Sequence, residues 1–585
     1  MSDRINRRSF LTRAATGLAT LALSHELSAG SKPPSGNGKK LFATTDYTDN
    51  IASGLFTRTH LDNLHGYLKS IGVTRHQWIV DTIWNLYEGP FDLLSEAVQS
   101  ARRHGLEFYA EIKPFEGGGF TDVLPHSLPV PDRRSAVKDM RGIHYLVRPF
   151  VAEHPQLCLQ RRPGTFAFHG PVTTIRLVKG DDRRTRIRPE HLTLWTSRQN
   201  CGFQKYEGPL SIRESVEWRP CFPKSRNCRI LHLEGLQIPQ DHSYLLIRCS
   251  LRGAEGGFAN ERGKIIELQN KQGEEVPFIV STGPIDFEEH RDQFNRDPFC
   301  RIVRYLQSPE VSAIFNSPEA GTTHYRDFYG FNERHNWTAS YALDREGYIA
   351  VACGKPEFMI GNLHPIYPEV RAHWLDMIRF CLDRGVDGVN IRTSNHTRSP
   401  EAWEYGFNEA VIQAAGGRTD YPAIRRINGE AYTRFLREAR DLVKSRGKSL
   451  TIHLYSQMLM PDDRPDYLSY IPPNFAWQWE TWVREIADDL EFRGAWTLRP
   501  WNLRQALETF GAVTKAANKP FYFQGNMKEI KYDWPLAITA AELEMVRRNP
   551  EMDGFVLYET AHFAAMDEKA KIMRNKELEK LLRKK

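Results

Sequence analysis

LFATT (residues 41–45), THLDNLHGYLKSIG (59–72) and HQWIVD (76–81) set the pattern that decides the fold, in which a short apolar strand is followed by an amphipathic helix and a second strand. In the helical segment, apolar residues recur at helical spacing and a glycine follows as a stop signal: Leu61, Leu64, Leu68, Ile71 and Gly72. The alternation continues through FDLLSEAVQSARRHG (91–105) to LEFYAEI (106–112). This pattern predicts parallel strands with helices packed outside them.

After a break, the same alternation resumes near Tyr367 and contributes five more predicted strands: VDGVNIR (386–392), SLTIHLY (449–455), LEFRGAWTL (490–498), KPFYFQG (519–525) and GFVLYE (554–559). Three strands before the break and five after it make eight, the number that closes a TIM barrel. A doubly wound open sheet is the alternative, but it usually has a glycine-rich first turn, and LFATTDYTDN (41–50) lacks G-x-G-x-x-G. We expect the strand bodies to fill the barrel with apolar side chains.

The break reads as a β-rich domain inserted after the third strand, because short apolar or alternating runs such as TTIRLV (173–178) and LTLWTS (192–197) replace the helical periodicity. Such runs favour a β-sandwich-like domain. Its place in the chain puts it beyond the barrel face where active sites form, either as a substrate-gripping module or as a packing accessory. The predicted boundaries are 1–29 for a signal peptide, 30–40 for a linker, 41–150 and 300–585 for the barrel with a C-terminal helix, and 151–299 for the insertion.

Composition limits the class of protein. The 585 residues are 41% hydrophobic and 26% charged, which is ordinary for a globular chain of more than one domain. No apolar run reaches the roughly 18 residues of a membrane-spanning helix, so the sequence predicts no integral membrane span. The net charge of +7 comes without a Lys/Arg block or an RNA-binding motif, and we expect no nucleic-acid partner.

The N-terminus resembles a twin-arginine export signal. Arg7 and Arg8 precede Ser9-Phe10-Leu11, the apolar stretch AATGLATLAL (14–23) follows, and Leu27-Ser28-Ala29 offers small residues for cleavage. A basic tail is the alternative. The resemblance implies that the twin-arginine machinery exports the protein to the periplasm or the exterior of a bacterial cell.

NLHPIYPEVRAHWLDMIRFCLDRGVDGVNIR (362–392) resembles the stretch that leads through the fourth strand in family-10-like glycosyl hydrolase-like proteins. EIKPFEGGG (111–119) and the approach to the sixth strand strengthen the resemblance, the latter through Trp479, Trp482, Val483, Glu485 and Asp488. The resemblance implies a TIM barrel that hydrolyses an extracellular glycan. The chain departs from the family at the end of the fourth strand, where acidic residues are usual and Asn390, Ile391 and Arg392 stand here.

Glycoside hydrolysis usually needs two carboxyl groups, and barrel enzymes carry them at the carboxyl ends of strands. Glu559 at the tip of the last strand is the first candidate. Asp81 on the second strand and Glu111 on the third compete for the other role. Each could instead be a structural hydrogen-bond or ion-pair partner.

Other polar and aromatic residues near strand ends are candidates for substrate binding: Asp46, Trp84, Arg392, Asn395, His396, His453, Tyr455 and Asn526. The guanidinium of Arg392 suits the carboxylate or sulfate of an acidic sugar, or equally a salt bridge to a neighbouring strand. Together with His453 or Tyr455 it would also suit a polysaccharide lyase, in which a base removes the proton beside a uronate carboxylate. A non-catalytic glycan-binding protein is the third possibility.

Cofactor chemistry has little support in the sequence. There is no HExxH, the first strand lacks His-x-His, and FEGGGF (115–120) lacks the Lys-Ser/Thr of a P-loop. We therefore predict neither a metal nor a cofactor, and a carbohydrate as the substrate. The sequence leaves the oligomeric state open.

Overall fold

A computed structural model describes these residues of the chain: 38–46, 56–80, 90–116, 149–165, 171–179, 181–197, 204–219, 226–239, 241–242, 244–251, 266–276, 279–280, 348–353, 357–394, 402–459, 471–493, 500–526 and 536–583. The predicted signal peptide lies outside them.

The strands in chain order are β1 (Lys40–Thr45), β2 (Arg75–Ile79), β3 (Glu107–Ile112), β4 (Cys158–Gln160), β5 (Val172–Val178), β6 (Leu192–Ser197), β7 (Gln204–Lys205), β8 (Ser211–Arg219), β9 (Arg226–Ile238), β10 (Tyr244–Cys249), β11 (Ile266–Gln269), β12 (Ile279–Val280), β13 (Tyr348–Cys353), β14 (Phe358–Leu363), β15 (Gly388–Ile391), β16 (Ser449–Tyr455), β17 (Asp489–Arg493), β18 (Phe521–Asn526) and β19 (Gly554–Tyr558). The helices are α1 (Arg58–Ser70), α2 (Leu93–Arg103), α3 (Pro149–Glu153), α4 (Pro368–Asp383), α5 (Glu409–Ala414), α6 (Tyr421–Ser445), α7 (Trp479–Thr481), which a π-helical turn continues over Trp482–Ile486, α8 (Pro500–Ala516), α9 (Ala537–Arg548) and α10 (Lys576–Arg583).

Eight parallel strands form a closed barrel in the order β1-β19-β18-β17-β16-β15-β3-β2. These are the eight strands that the sequence predicts, so the TIM-barrel prediction is confirmed. The first and last strands close the ring, and their register pairs Lys40 with Gly554 and Thr44 with Tyr558. A Cβ atom on Gly554 would lie 2.1 Å from the Lys40 carbonyl oxygen, so the close approach of the two backbones requires glycine at this position.

The helices pack their apolar stripes against the outer face of the barrel. Thr57 caps α1 by accepting a hydrogen bond from the His60 N–H, and Leu61, Leu64 and Leu68 then face inward and are buried. They belong to one large cluster that also contains Trp78 of β2. Full burial of each leucine contributes about 1.5–3 kcal/mol to stability, so this cluster is the main core of the molecule.

The barrel interior is largely polar, so the expected apolar filling is only partly right: Phe42, Tyr522 and Val556 form a small buried apolar cluster. Side chains alternate between the two faces of a strand, and the apolar cluster takes mainly the outward set, such as Leu450, Ile452 and Leu454 of β16. The inward set is buried and polar through the middle of the barrel: Thr44, Gln77, Glu111, Asn390, His453, Glu491 and Gln524. Packing against the helices requires apolar residues on the outer face alone. Polar groups inside the barrel can hydrogen-bond to one another. Asn390 Nδ2 donates to Gln77 Oε1 (2.9 Å), and Gln77 Nε2 donates to Glu491 Oε1.

An arginine fills the amino-terminal end of the barrel. Arg75 donates to Asp489 Oδ2 (3.0 Å), and its guanidinium lies 3.8 Å from the ring centroid of Tyr109 and 4.2 Å from that of Phe42. Ion pairing and cation–π contacts compensate for the burial of its charge. This end of the barrel is therefore closed, and chemistry is left to the opposite end.

The segment between β3 and α4 contains a five-stranded sheet (β12-β13-β10-β6-β7) and a four-stranded sheet (β11-β5-β9-β8). Residues of both sheets share one buried cluster, for example Ile175 and Leu233 from one sheet and Leu194 and Ile247 from the other. The five-stranded sheet includes β13, which lies beyond the predicted boundary at 299, because the chain returns to this sheet after about 70 residues outside the described part.

A two-stranded sheet of β4 and β14 joins this segment to the barrel. Its register pairs Gln160 with Phe358 and Cys158 with Leu363. Leu159 and Met359 are buried in the barrel cluster. Within the described ranges, no helix is both long and apolar enough to cross a membrane.

His364, directly after β14, fixes the turn into α4. Its Nδ1 accepts from the Ile366 N–H (3.0 Å) and its Nε2 lies 3.0 Å from Asn428 Oδ1 on α6. The ring is fully buried, and burial lowers the pKa of His364 to about 3. A second proton would displace the Ile366 N–H, so the folded protein holds the neutral imidazole.

We predict that this histidine makes the folded state less stable as the pH falls. An unfolded-state histidine binds its proton near pH 6.5, whereas the folded protein resists protonation down to about pH 3, so the unfolded state takes up more protons in that window. The expected loss is about 1.4 kcal/mol per pH unit below pH 6.5 for one such group. Unfolding free energies at pH 7, 6 and 5 should fall less steeply for His364→Gln than for the unmodified protein. Equal slopes would show that His364 titrates normally.

Candidate active site

Charged and phenolic side chains gather at the carboxyl ends of the barrel strands, and all are at least 90% buried: Asp46, Glu111, Lys113, Glu116, Arg392, Tyr455, Arg493, Tyr558 and Glu559. We call them the mouth cluster. The strand ends bring them together although they come from distant parts of the chain. Buried charges require partners, and the contacts below show how these are supplied.

Arg392 organises one side of the mouth cluster. Its Nη1 donates to Glu111 Oε1 (2.8 Å), its Nε to Ser394 Oγ (3.0 Å) and its Nη2 to the Tyr558 hydroxyl (3.2 Å). Each guanidinium nitrogen therefore has a protein partner already. Of the two roles that the sequence left open for Arg392, the structure shows the salt bridge to a neighbouring strand.

Tyr558 stands between two arginines. The guanidinium carbons of Arg493 and Arg392 lie 4.2 and 5.0 Å from its ring centroid. Burial raises the pKa of Tyr558 to about 12, with Arg392 and Arg493 opposing the rise and Glu559 and Asp46 adding to it. The hydroxyl is thus a neutral phenol near neutral pH.

Glu559 and Asp46 follow the last and the first strand. Glu559 is fully buried, and its Oε1 lies 3.3 Å from His562 Nε2. Asp46 Oδ2 lies 3.9 Å from Lys113 Nζ, which is also 2.8 Å from Glu116 Oε2. Because β1 pairs with β19, these two carboxyl groups belong to adjacent strands at the point where the barrel closes.

His453 lies deeper in the barrel than the mouth cluster. Its Nε2 is 3.1 Å from Glu491 Oε2, and its Nδ1 is 3.4 Å from the Tyr455 hydroxyl, which donates to Ser394 Oγ (2.9 Å). Burial raises the pKa of Tyr455, with Arg392 and Arg493 opposing the rise. Both side chains are held by neighbours inside the protein.

The structure brings together several of the residues predicted from the sequence: Asp46, Glu111, Arg392, Tyr455 and Glu559 in the mouth cluster, with His453 below it. Others lie outside the described residues: Asp81, Trp84, Asn395 and His396. Asn526 ends β18, but its side chain is outside the description.

Sequence reasoning missed Lys113, Ser394 and Tyr558. A signal existed for each, since Lys113 directly follows β3, Ser394 lies three residues beyond the end of β15, and Tyr558 is the inward residue before Glu559. Glu491 and Gln77 were also missed; polar residues alternate with apolar ones in the strand of Glu491, but the strand of Gln77 shows no such alternation. Among the residues that the structure describes, no group of three or more His, Cys, Asp or Glu side chains is placed to hold a metal ion.

No protein-family model matches the chain, and no curated protein matches it. Among solved structures, it is similar to the catalytic domain of a β-amylase from Paenibacillus polymyxa, with 9% sequence identity and a TM-score of 0.29 over 90% of this chain and 93% of that chain. A TM-score this low carries no weight for fold or function. The barrel assignment rests on the strand pairing itself.

We predict strong coupling between Arg392 and Glu111. Removing one partner leaves the other charge buried and uncompensated, so Glu111→Gln and Arg392→Met should each lower the free energy of unfolding by about 3–5 kcal/mol. The double variant should lose clearly less than the sum of the two. Denaturant titrations of the four proteins measure this cycle, with Arg418→Met as a control at an exposed ion pair. Additive losses would contradict the coupling.

Proposed function

We propose that the protein is a glycoside hydrolase whose two carboxyl groups are Glu559 and Asp46. The observation that carries this proposal is that both follow strands of the β1–β19 pair, both are buried, and the residues next to them, Thr45 and Thr560, are hydrogen-bonded at 2.5 Å. Two carboxyl groups at the carboxyl face of a TIM barrel meet the chemical requirement of glycosidic hydrolysis. The resemblance of residues 362–392 to family-10-like glycosyl hydrolase-like proteins points the same way.

In this reaction the bond between the anomeric carbon and the glycosidic oxygen breaks. One carboxyl group gives its proton to the leaving oxygen, and the other either attacks the anomeric carbon or takes a proton from the water that does so. The net change is the addition of one water molecule. The Tyr558 phenol can donate a hydrogen bond to the carboxylate or to a sugar oxygen.

Glu111 fits the second carboxyl role less well than Asp46. Its carboxylate is bound to Arg392 at 2.8 Å, a closer ion pair than that of Asp46 with Lys113 at 3.9 Å, and taking up a proton would break it. Asp81 lies outside the described residues and enters the experiment below as an alternative.

A polysaccharide lyase is the second candidate. It would need Arg392 to bind a uronate carboxylate and His453 or Tyr455 to remove a proton. Here Arg392 donates to Glu111, Ser394 and Tyr558, and His453 lies in the barrel beside Glu491. These contacts favour hydrolysis over lysis, and the paired carboxyl groups favour catalysis over binding alone.

We predict that Glu559→Gln and Asp46→Asn each reduce turnover by about 10²–10⁴-fold, since each removes a proton-transfer or nucleophilic group. The assay is mass spectrometry of products from neutral, uronate-containing and sulfated glycans. Fragments that gain one water establish hydrolysis, and unsaturated fragments establish the lyase instead. Glu577→Gln, at a carboxylate whose side chain is 70% exposed on α10, is the matched control and should behave like the unmodified protein.

The roles of the two carboxyl groups follow from a second substrate. An aryl glycoside with an activated leaving group needs little protonation, so it should restore turnover to the variant that lacks the acid and not to the other. Asp81→Asn is tested beside them. A loss at Asp81 and none at Asp46 would move the second role to Asp81.

Export by the twin-arginine machinery belongs to the same proposal, with the sequence around Arg7 and Arg8 as its support. We predict that Arg7→Lys combined with Arg8→Lys, which keeps the charge, leaves the protein in the cytoplasm of a bacterial host. Cell fractionation and immunoblotting measure this, with Arg13→Lys as the control. Periplasmic protein at unmodified levels would contradict twin-arginine export.

A further inference from the structure

A chain of buried hydrogen bonds leads from the helices to the mouth of the barrel. Ser100 Oγ of α2 lies 2.8 Å from His65 Nδ1 of α1, and His65 Nε2 lies 2.9 Å from His76 Nδ1 of β2. His76 Nε2 lies 2.7 Å from Thr45 Oγ1, which lies 2.5 Å from Thr560 Oγ1. All five side chains are fully buried.

This series of hydrogen bonds involves both ring nitrogens of His65 and both of His76. A neutral ring has one N–H donor and one acceptor nitrogen, so the hydrogen bonds must run in one direction from end to end. The Leu61 carbonyl also accepts from His65, which favours a proton on Nδ1. Nε2 of His65 then accepts from His76, and His76 accepts from the Thr45 hydroxyl.

Neither ring can take a second proton without breaking this order. Burial lowers the pKa of His76 to about 3, and burial together with the neighbouring His76 holds the pKa of His65 well below its usual value. The pair is therefore a neutral, fixed element near neutral pH. A buried apolar pair could fill the same volume, so the polar chain calls for a reason beyond packing.

The last hydrogen bond of the series, between Thr45 and Thr560, supplies that reason. Thr45 is bonded covalently to Asp46, and Thr560 to Glu559, the two carboxyl groups proposed for catalysis. The Thr45–Thr560 hydrogen bond joins these segments side by side where the barrel closes. Whatever fixes the two threonines also sets the separation of the two carboxyl groups.

We propose that His65, His76, Thr45 and Thr560 are positioning residues that hold Asp46 and Glu559 at their working separation. This inference rests on the proposed function. A displacement of about 1 Å between reacting groups costs on the order of 10²-fold in rate, so a hydrogen-bond chain of this kind has a large effect available to it.

Thr560→Val tests the proposal, because it keeps the shape of the side chain and removes the hydroxyl. On the panel glycan that the unmodified protein hydrolyses fastest, we expect kcat to fall by about 10–100-fold and KM to change less than about threefold. Thr560→Ser, which keeps the hydroxyl, should restore kcat. His65→Leu removes the hydrogen bonds to Ser100 and His76, far from the mouth of the barrel. It should also lower kcat, as Thr560→Val does.

Two controls separate positioning from mere folding. Rates are normalised to folded protein by circular dichroism, well below each unfolding midpoint. In the Glu559→Gln background, Thr560→Val should lower kcat by a smaller factor than in the unmodified protein, since one of the two carboxyl groups through which the threonine acts is already gone.

The outcomes distinguish the two proposals. Unchanged kcat for Thr560→Val and His65→Leu, with an inactive Glu559→Gln, would overturn the positioning role alone. An active Glu559→Gln would overturn the proposed function first. A fall in kcat that Thr560→Ser does not restore would also count against the hydroxyl chain.

Discussion

The pairing of β1 with β19 is the constraint on which the rest of the structure depends. These strands lie more than 500 residues apart, and their hydrogen bonds convert a row of strands into a closed ring. Closure joins Thr45 to Thr560, so that Asp46 and Glu559 follow two adjacent strands, and Tyr558 on one of them stacks against Arg392 and Arg493. Without this pairing, the residues that follow β1 and those that follow β19 would not form one site.

Closure also creates an interior that water cannot reach freely, and this chain fills much of it with polar side chains. At each height along the barrel axis, buried polar side chains are hydrogen-bonded to one another, which offsets the cost of removing them from water. The pairs are Arg75 with Asp489, Gln77 with Glu491 and Asn390, and Arg392 with Glu111. Outside the strands, ordinary apolar packing of the helices provides the stability. The side chains that pack against the helices and the polar side chains of the interior therefore lie on opposite faces of the same strands.

The fold was readable because helical and strand periodicities are local, and all eight barrel strands fall where the sequence predicts them. The polar interior was only partly readable: polar and apolar residues alternate in β16 and β17, whereas β2 shows no alternation that marks which face meets the helices. Strand ends identified Asp46, Glu111 and Glu559, but partners such as Arg392 and Glu111 are 281 residues apart and come together only through the pairing of β3 with β15. The late return of β13 to its sheet is likewise a long-range pairing without a local signal.

The small β4–β14 sheet has a consequence for how the inserted segment can change in evolution. The strand that leaves the barrel and the strand that returns to it are hydrogen-bonded neighbours, so the two attachment points of the inserted segment lie side by side. A segment anchored in this way can lengthen, shrink or be exchanged without stretching the barrel, because its ends are already held together. The barrel and the insertion are thus free to diverge at different rates.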